Sequence, residues 1–212
     1  MAAFSGFQRP STVITALLVA NGLMYLIELL LGEGVFDALA LWPLQAHAVG
    51  FFSTPSLFHP WQLVTYAFLH GSAMHILFNM YALWMFGSPM EATWGSQRFA
   101  LFYFVCVIGA GLTQLLVASY SGEIYPTIGA SGGVFGVLLA FGMTYPEARL
   151  VLIFPPVAVK AKWLVLFFGL FELWAGVTGT QAGVAHFAHL GGMFFGLALI
   201  LYWRSTASRP PV

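Results

Sequence analysis

The stretch Gly129-Ala130-Ser131-Gly132-Gly133-Val134-Phe135-Gly136 opens an apolar run that continues to Tyr145. A hydroxyl stands among glycines at the mouth of a segment that reads as membrane-embedded. Gly132 and Gly136 are four apart and so share a helix face, and paired small residues let transmembrane backbones approach closely. A second apolar run, near Val184–Trp203, repeats the device with Gly192 and Gly196, and His189 lies on their face. If the two glycine faces meet, Ser131 and His189 come within hydrogen-bonding reach.

Composition supports a membrane setting for the whole chain. Only 7% of its 212 residues are charged and 60% are hydrophobic, against roughly 25% charged in soluble domains. The seven Lys and Arg equal the seven Asp and Glu, so there is no basic field to recruit nucleic acid. Cys106 is the single cysteine and cannot form an intrachain disulfide; it reads as a small core or lipid-facing residue.

A spanning helix needs about 20 mostly apolar residues. Six segments are placed near Thr12–Leu31, Ala73–Phe86, Phe99–Ala118, Ser131–Tyr145, Trp163–Thr178 and Val184–Trp203. The short ones must borrow flanking residues, tilt, or end in a water-filled cavity. The expected fold is therefore all-α, a polytopic membrane protein of six transmembrane helices. It forms one domain over residues 1–212, with short tails at about 1–11 and 204–212. The first span is too long for the apolar core of a signal peptide and is read as retained.

Positive charge gives the orientation. With six spans and an inside N-terminus, the inside segments hold Arg9, Arg98, Arg149, Lys160, Lys162, Arg204 and Arg209, which is every Lys and Arg in the chain. The outside segments carry Glu33, Asp37 and Glu123, and Glu28 and Glu172 fall near the outer ends of their helices. Both termini are thus expected on the cytoplasmic side. Between the first two spans, Trp42, Phe51, Phe52, Phe58, Trp61 and Tyr66 punctuate a long segment poor in charge. Such a loop suits the interfacial belt of the bilayer.

Intramembrane polar groups are expensive and often functional, which makes the candidates few. His75 and Asn79 are four apart on one helix face, Ser131 begins the fourth span, and His186 and His189 are three apart in the sixth. Asn21, Glu28, Gln114 and Glu172 complete the set. A serine hydroxyl is a weak nucleophile until a base takes its proton, and histidine is the usual base. The pattern also fits packing glycines beside a hydrogen-bonded core histidine.

A third member for a triad is hard to place. Asp37 is the only aspartate and lies in the first loop, and the glutamates sit near or beyond helix ends, so a Ser131–His189 dyad is expected. Phe135, four residues after Ser131, is positioned to present its ring to His189. The amide of Ser131 at a helix start could hold an oxyanion, with His75 and Asn79 adding side-chain donors. No histidine is followed by glutamate, so the H-E-x-x-H zinc protease pattern is absent, and one aspartate cannot form an aspartyl pair. His186 and His189 could ligate a metal with Glu172, but an i, i+3 histidine pair is weak evidence. No metal or cofactor is expected.

Four ordered motifs resemble the rhomboid family of intramembrane serine proteases over about Trp61 to Gly196. They are His70-Gly-Ser-Ala-Met-His75-Ile-Leu-Phe-Asn79; Glu91 with Gly95-Ser96-Gln97-Arg98; Gly129-Ala130-Ser131-Gly132; and Ala188-His189 with Gly192 and Gly196. The resemblance implies Ser131 as nucleophile, His189 as general base, His75 and Asn79 with the Ser131 amide as the oxyanion hole, and Gly129 as the glycine of the serine motif. His186 matches no family position. Phe135 falls where better-known bacterial members carry tyrosine, and Gln62 where some carry arginine.

The resemblance implies a serine endopeptidase that cleaves transmembrane-protein substrates in the lipid bilayer of a bacterial inner membrane. Its active site would open to the outer side. Substrate would enter near the fifth span, and the segment from Thr178 to Gly183, flanked by Gly176, Gly179 and Gly183, would serve as a lid. Two other readings are a proteolytically inactive rhomboid-like binder of transmembrane helices and a small transporter or channel. Oligomeric state has no signal in the sequence.

Overall fold

A computed structural model of the chain describes residues 12–44, 58–122, 125–151, 156–180 and 183–207. Six helices make the membrane bundle: α1 (Thr12–Leu31), α4 (Ala73–Trp94), α5 (Ser96–Ser121), α6 (Ser131–Thr144), α7 (Ala161–Thr178) and α8 (His186–Ala207). Two shorter helices, α2 (Glu33–Leu39) and α3 (Gln62–Thr65), lie in the first loop, and a 3-10 turn (Tyr66–Phe68) follows α3. Each expected span corresponds to one helix. Four of them, α1, α5, α7 and α8, are long and apolar enough to cross a bilayer on those grounds alone. In α4 the apolar character is diluted by His75, Asn79 and Glu91.

The length of α6 decides where the serine sits. Its 14 residues extend only about 21 Å at 1.5 Å per residue, short of the roughly 30 Å hydrocarbon core. When Thr144 is at one surface, Ser131 lies below the other.

The helix α5 runs through the middle of the bundle. Phe99, Phe102, Tyr103, Cys106, Val107 and Ala110 on it are fully buried, so Cys106 is a core residue. By contrast α1 and α7 turn Leu23, Leu26, Leu30, Leu166, Phe167 and Leu170 outward, as suits helices whose solvent is lipid. The glycine faces do meet, with α5 contributing to the seam. Gly192 packs on the backbone of Gly132, whereas a methyl on Gly196 would stand 2.9 Å from the Phe102 ring and 3.1 Å from Cys106 Sγ.

Two elements depart from the sequence reading. The second span, expected to stop at Phe86, runs on as α4 through Pro89 to Trp94 and ends at Gly95, whose φ of 79° reverses the chain. Proline costs the helix one amide donor, yet Glu91 gives this extra turn a use. Its carboxylate accepts from Val13 N and Ile14 N at 2.9 Å each and from Ser96 Oγ at 2.5 Å, satisfying orphan amides at the start of α1. The connection between the fourth and fifth spans, for which the sequence reading offers no strand, contains an antiparallel pair, β1 (Arg149–Val151) and β2 (Ala158–Lys160), with Arg149 opposite Lys160. Glu147 beside it binds Lys160 at 2.7 Å and also Lys162.

The first loop is anchored by Gln62, which is fully buried. Its Oε1 accepts from Trp42 N at 3.3 Å and His59 N at 3.2 Å, and its Nε2 donates to Ala38 O at 3.4 Å. Thr65 Oγ1 adds a bond to Leu39 O at 2.7 Å. The neutral amide thus ties the loop to the end of α2 and the start of α3. Leu41 and Thr127 then exchange both backbone bonds, at 3.0 and 2.9 Å, and Gly129 N donates to Tyr66 O at 2.9 Å. These bonds hold the segment that delivers Ser131. Of the aromatic residues expected in this loop, Phe51 and Phe52 lie outside the described residues, as do Glu123 and the tail residues Arg9 and Arg209.

Candidate active site

Ser131 opens α6 just after Gly129, whose φ of 119° favours glycine. Glycine is required there for space as well. A Cβ on Gly129 would stand 2.8 Å from the His75 ring, so His75 lies against the serine loop. The first hydrogen bond of α6 runs from Val134 N to Ala130 O at 3.0 Å. The amides of Ser131, Gly132 and Gly133 therefore belong to the first helical turn, where N–H groups have no acceptor within the helix.

The seam between α6 and α8 brings His189 Nε2 to 2.7 Å from Ser131 Oγ. Phe135, one turn along α6, stacks on the imidazole with centroids 4.3 Å apart and planes 4° from parallel. His189 and Asn79 are buried, and Ser131, His75 and Phe135 are half-buried. These five residues line one cavity of about 760 Å³, together with Phe168 of α7 and residues 183–185. Asn79 Nδ2 donates to His75 O at 2.9 Å, one turn back in its own helix, which leaves its second N–H for another acceptor.

The sequence reading counts Glu172 among the intramembrane polar groups but does not bring it to His189. Although near the end of α7, it is buried at 5% exposure, and its Oε2 lies 2.9 Å from His189 Nδ1. The expectation that no acid reaches His189 is corrected, because α7 packs against α8 with this carboxylate turned into the bundle. The cost of an acid in an apolar span was the available signal. The same Oε2 also lies 2.7 Å from Nδ1 of His186, whose Nε2 is 3.0 Å from Thr180 O. The three possible metal ligands do converge, with ligand atoms within 4.8 Å of one another. The two nitrogen–oxygen contacts are hydrogen-bond lengths, shorter than the edge of about 3.3 Å implied by zinc bonds near 2.0 Å in tetrahedral geometry.

The glycines near the expected lid divide into two kinds. A Cβ on Gly176 would stand 3.1 Å from the Phe187 ring, so Gly176 is a packing residue, whereas Gly179, with φ 67°, caps α7. Gln181 and Ala182 lie outside the described residues.

The family model described as the Rhomboid domain matches residues 57–206, well over half of the chain. The chain belongs to the rhomboid family. It is 33% identical over 135 residues to the mouse "Presenilin-associated rhomboid-like protein, mitochondrial", covering 64% of this chain and 36% of that one. It is 32% identical over 133 residues to the yeast "Rhomboid protein 1, mitochondrial", with 62% and 38% covered. With the "Rhomboid protease GlpG" of Salmonella choleraesuis, identity is 27% over 196 residues, covering 91% of this chain and 63% of that protein. The chain thus spans little more than a third of the length of the two mitochondrial rhomboids. As a rhomboid, it is an integral membrane protein of the polytopic all-α class.

Proposed function

We propose that this rhomboid is an intramembrane serine endopeptidase with Ser131 as nucleophile and His189 as general base. The observation that carries the reading is the 2.7 Å contact between Ser131 Oγ and His189 Nε2 at a cavity inside the helix bundle. That distance is the reach a base needs to take a hydroxyl proton. Ser131 Oγ bonds to the carbonyl carbon of an unwound substrate segment as its proton passes to His189 Nε2. The C–N bond then breaks, the leaving amine takes that proton, and the acyl group stays on Ser131. Water, deprotonated by His189, releases the acid and restores the serine. The Ser131 amide, His75 and Asn79 stabilise the oxyanion. Gly129 gives His75 room to approach, and Phe135 holds the imidazole plane.

The substrates we infer are transmembrane proteins whose helices enter from the lipid near α7. We place the chain as a single domain in a bacterial inner membrane, with both tails cytoplasmic and the cavity open to the outer side. The support for this orientation is the one-sided distribution of lysine and arginine. Incubation with a fluorophosphonate tests the chemistry. Ser131 is labelled in the wild type, and Ser131→Ala abolishes both labelling and cleavage of a transmembrane reporter without loss of fold. Cleavage retained by Ser131→Ala would sink the assignment.

A further inference from the structure

His186 lies outside the chemistry just described, yet it is buried at 5% exposure and shares one carboxylate oxygen with the base. Donor and acceptor roles fix where the protons lie. The Thr180 carbonyl can only accept, so His186 Nε2, 3.0 Å away, carries a hydrogen. On the protease reading, on which this inference rests, His189 Nε2 is bare toward Ser131, so His189 Nδ1 carries its hydrogen and donates to Glu172 Oε2 at 2.9 Å. The remaining contact, His186 Nδ1 to Oε2 at 2.7 Å, must also contain a proton, because two lone pairs do not face each other at that distance. Whichever atom holds it, imidazolium with carboxylate or imidazole with carboxylic acid, the pair has no net charge.

We propose that Glu172 and His186 form a charge-neutral positioning pair that holds His189 in the tautomer and rotamer required to deprotonate Ser131. An isolated carboxylate among buried side chains is costly, and the proton shared with His186 removes that cost. The carboxylate fixes the edge of the His189 ring while Phe135 fixes its plane. During attack the Ser131 proton stops at His189 Nε2. No proton leaves His189 Nδ1, and the proton between Glu172 and His186 settles on His186, so the carboxylate faces the new imidazolium. The titratable groups around His189 are Glu172 from α7, His186 from its own helix and His75 from α4.

The test uses full-length protein in bicelles with a transmembrane reporter and 15N-histidine labelling. In the wild type, His189 is protonated at Nδ1 and His186 at Nε2. Wild-type His189 protonated at Nε2 would overturn the proposal without any variant having to fold. Glu172→Gln presents a single atom to both imidazoles and cannot satisfy both. It should lower kcat by about a hundredfold or more, as loss of an orienting carboxylate does, with KM unchanged and His189 shifted toward the Nε2–H tautomer. His186→Gln should also lower kcat, and Glu172→Asp should recover part of the loss. If Ser131→Ala is inactive while Glu172→Gln and His186→Gln both turn over like the wild type, the pair fails and the protease reading survives. Loss of activity with chelator and recovery with zinc would replace the hydrogen-bonded pair with a metal.

Discussion

Gly192 of α8 lies backbone to backbone against Gly132 of α6, so that a methyl group on Gly192 would fall on the Gly132 carbonyl oxygen. This contact sets the distance between the helices that carry His189 and Ser131. Gly192→Ala must push them apart. Overpacking of this kind costs about 1–3 kcal/mol, and a misplacement of about 1 Å at reacting groups costs about a hundredfold in rate. Turnover should fall further than stability measured by denaturant unfolding. Gly22 on α1, with nothing within 4 Å of an added Cβ, is the control: Gly22→Ala leaves both unchanged or improves stability.

The Phe135–His189 stack predicts a graded series. Aromatic pairs contribute about 0.5–1.5 kcal/mol beyond area burial, which corresponds to about two- to tenfold in rate. Phe135→Ala should lose that factor in kcat, and Phe135→Tyr, which keeps the ring, should retain turnover. Equal loss in both variants would assign Phe135 to substrate contact instead.

Removal of the His75 side chain should lower kcat by about 10²–10³ if it donates to the oxyanion. Asn79→Ala should cost less, since one of its N–H groups is already committed to His75 O. Single-turnover cleavage with the reporter in excess of KM separates these effects from binding.

Gln62→Ala strands the amides of Trp42 and His59, and an unsatisfied buried donor costs about 1–3 kcal/mol. Stability should fall by that order. The Ser131–His189 contact is built by other helices, so fluorophosphonate labelling at low temperature should persist.

The hydrogen bonds from Lys160 and Lys162 lower the pKa of Glu147, outside the spans, to about 2. Because the folded value lies below the unfolded one, near 4.5, any stabilisation is present above pH 4.5 and is lost as pH falls toward 2. At these exposed groups the effect on unfolding is small. Carboxyl titration by NMR should give a midpoint near 2, and the Lys160→Ala, Lys162→Ala double variant should return it toward the ordinary carboxylate range.

Helix count was legible, as was the choice of Ser131, His189, His75 and Asn79 as candidates, because each rests on a local property: an apolar run, a four-residue spacing, a serine beside glycines. The extension of α4 through Pro89 was not, because proline argues for a stop. Only the contact of Glu91 with the start of α1 shows what the added turn does. The hairpin β1–β2 was equally hidden, its strands being three residues each.

Sequence alone determined the membrane class, the six spans and the two helices that carry Ser131 and His189, since hydropathy and periodicity are written along the chain. Tertiary structure decided that Glu172 faces His189 and that His186 shares its oxygen. Spacing tells which residues lie on one face of a helix. Which faces meet, and at what depth, is set by the glycine seam of α6 and α8 and by the packing of α7 beside it.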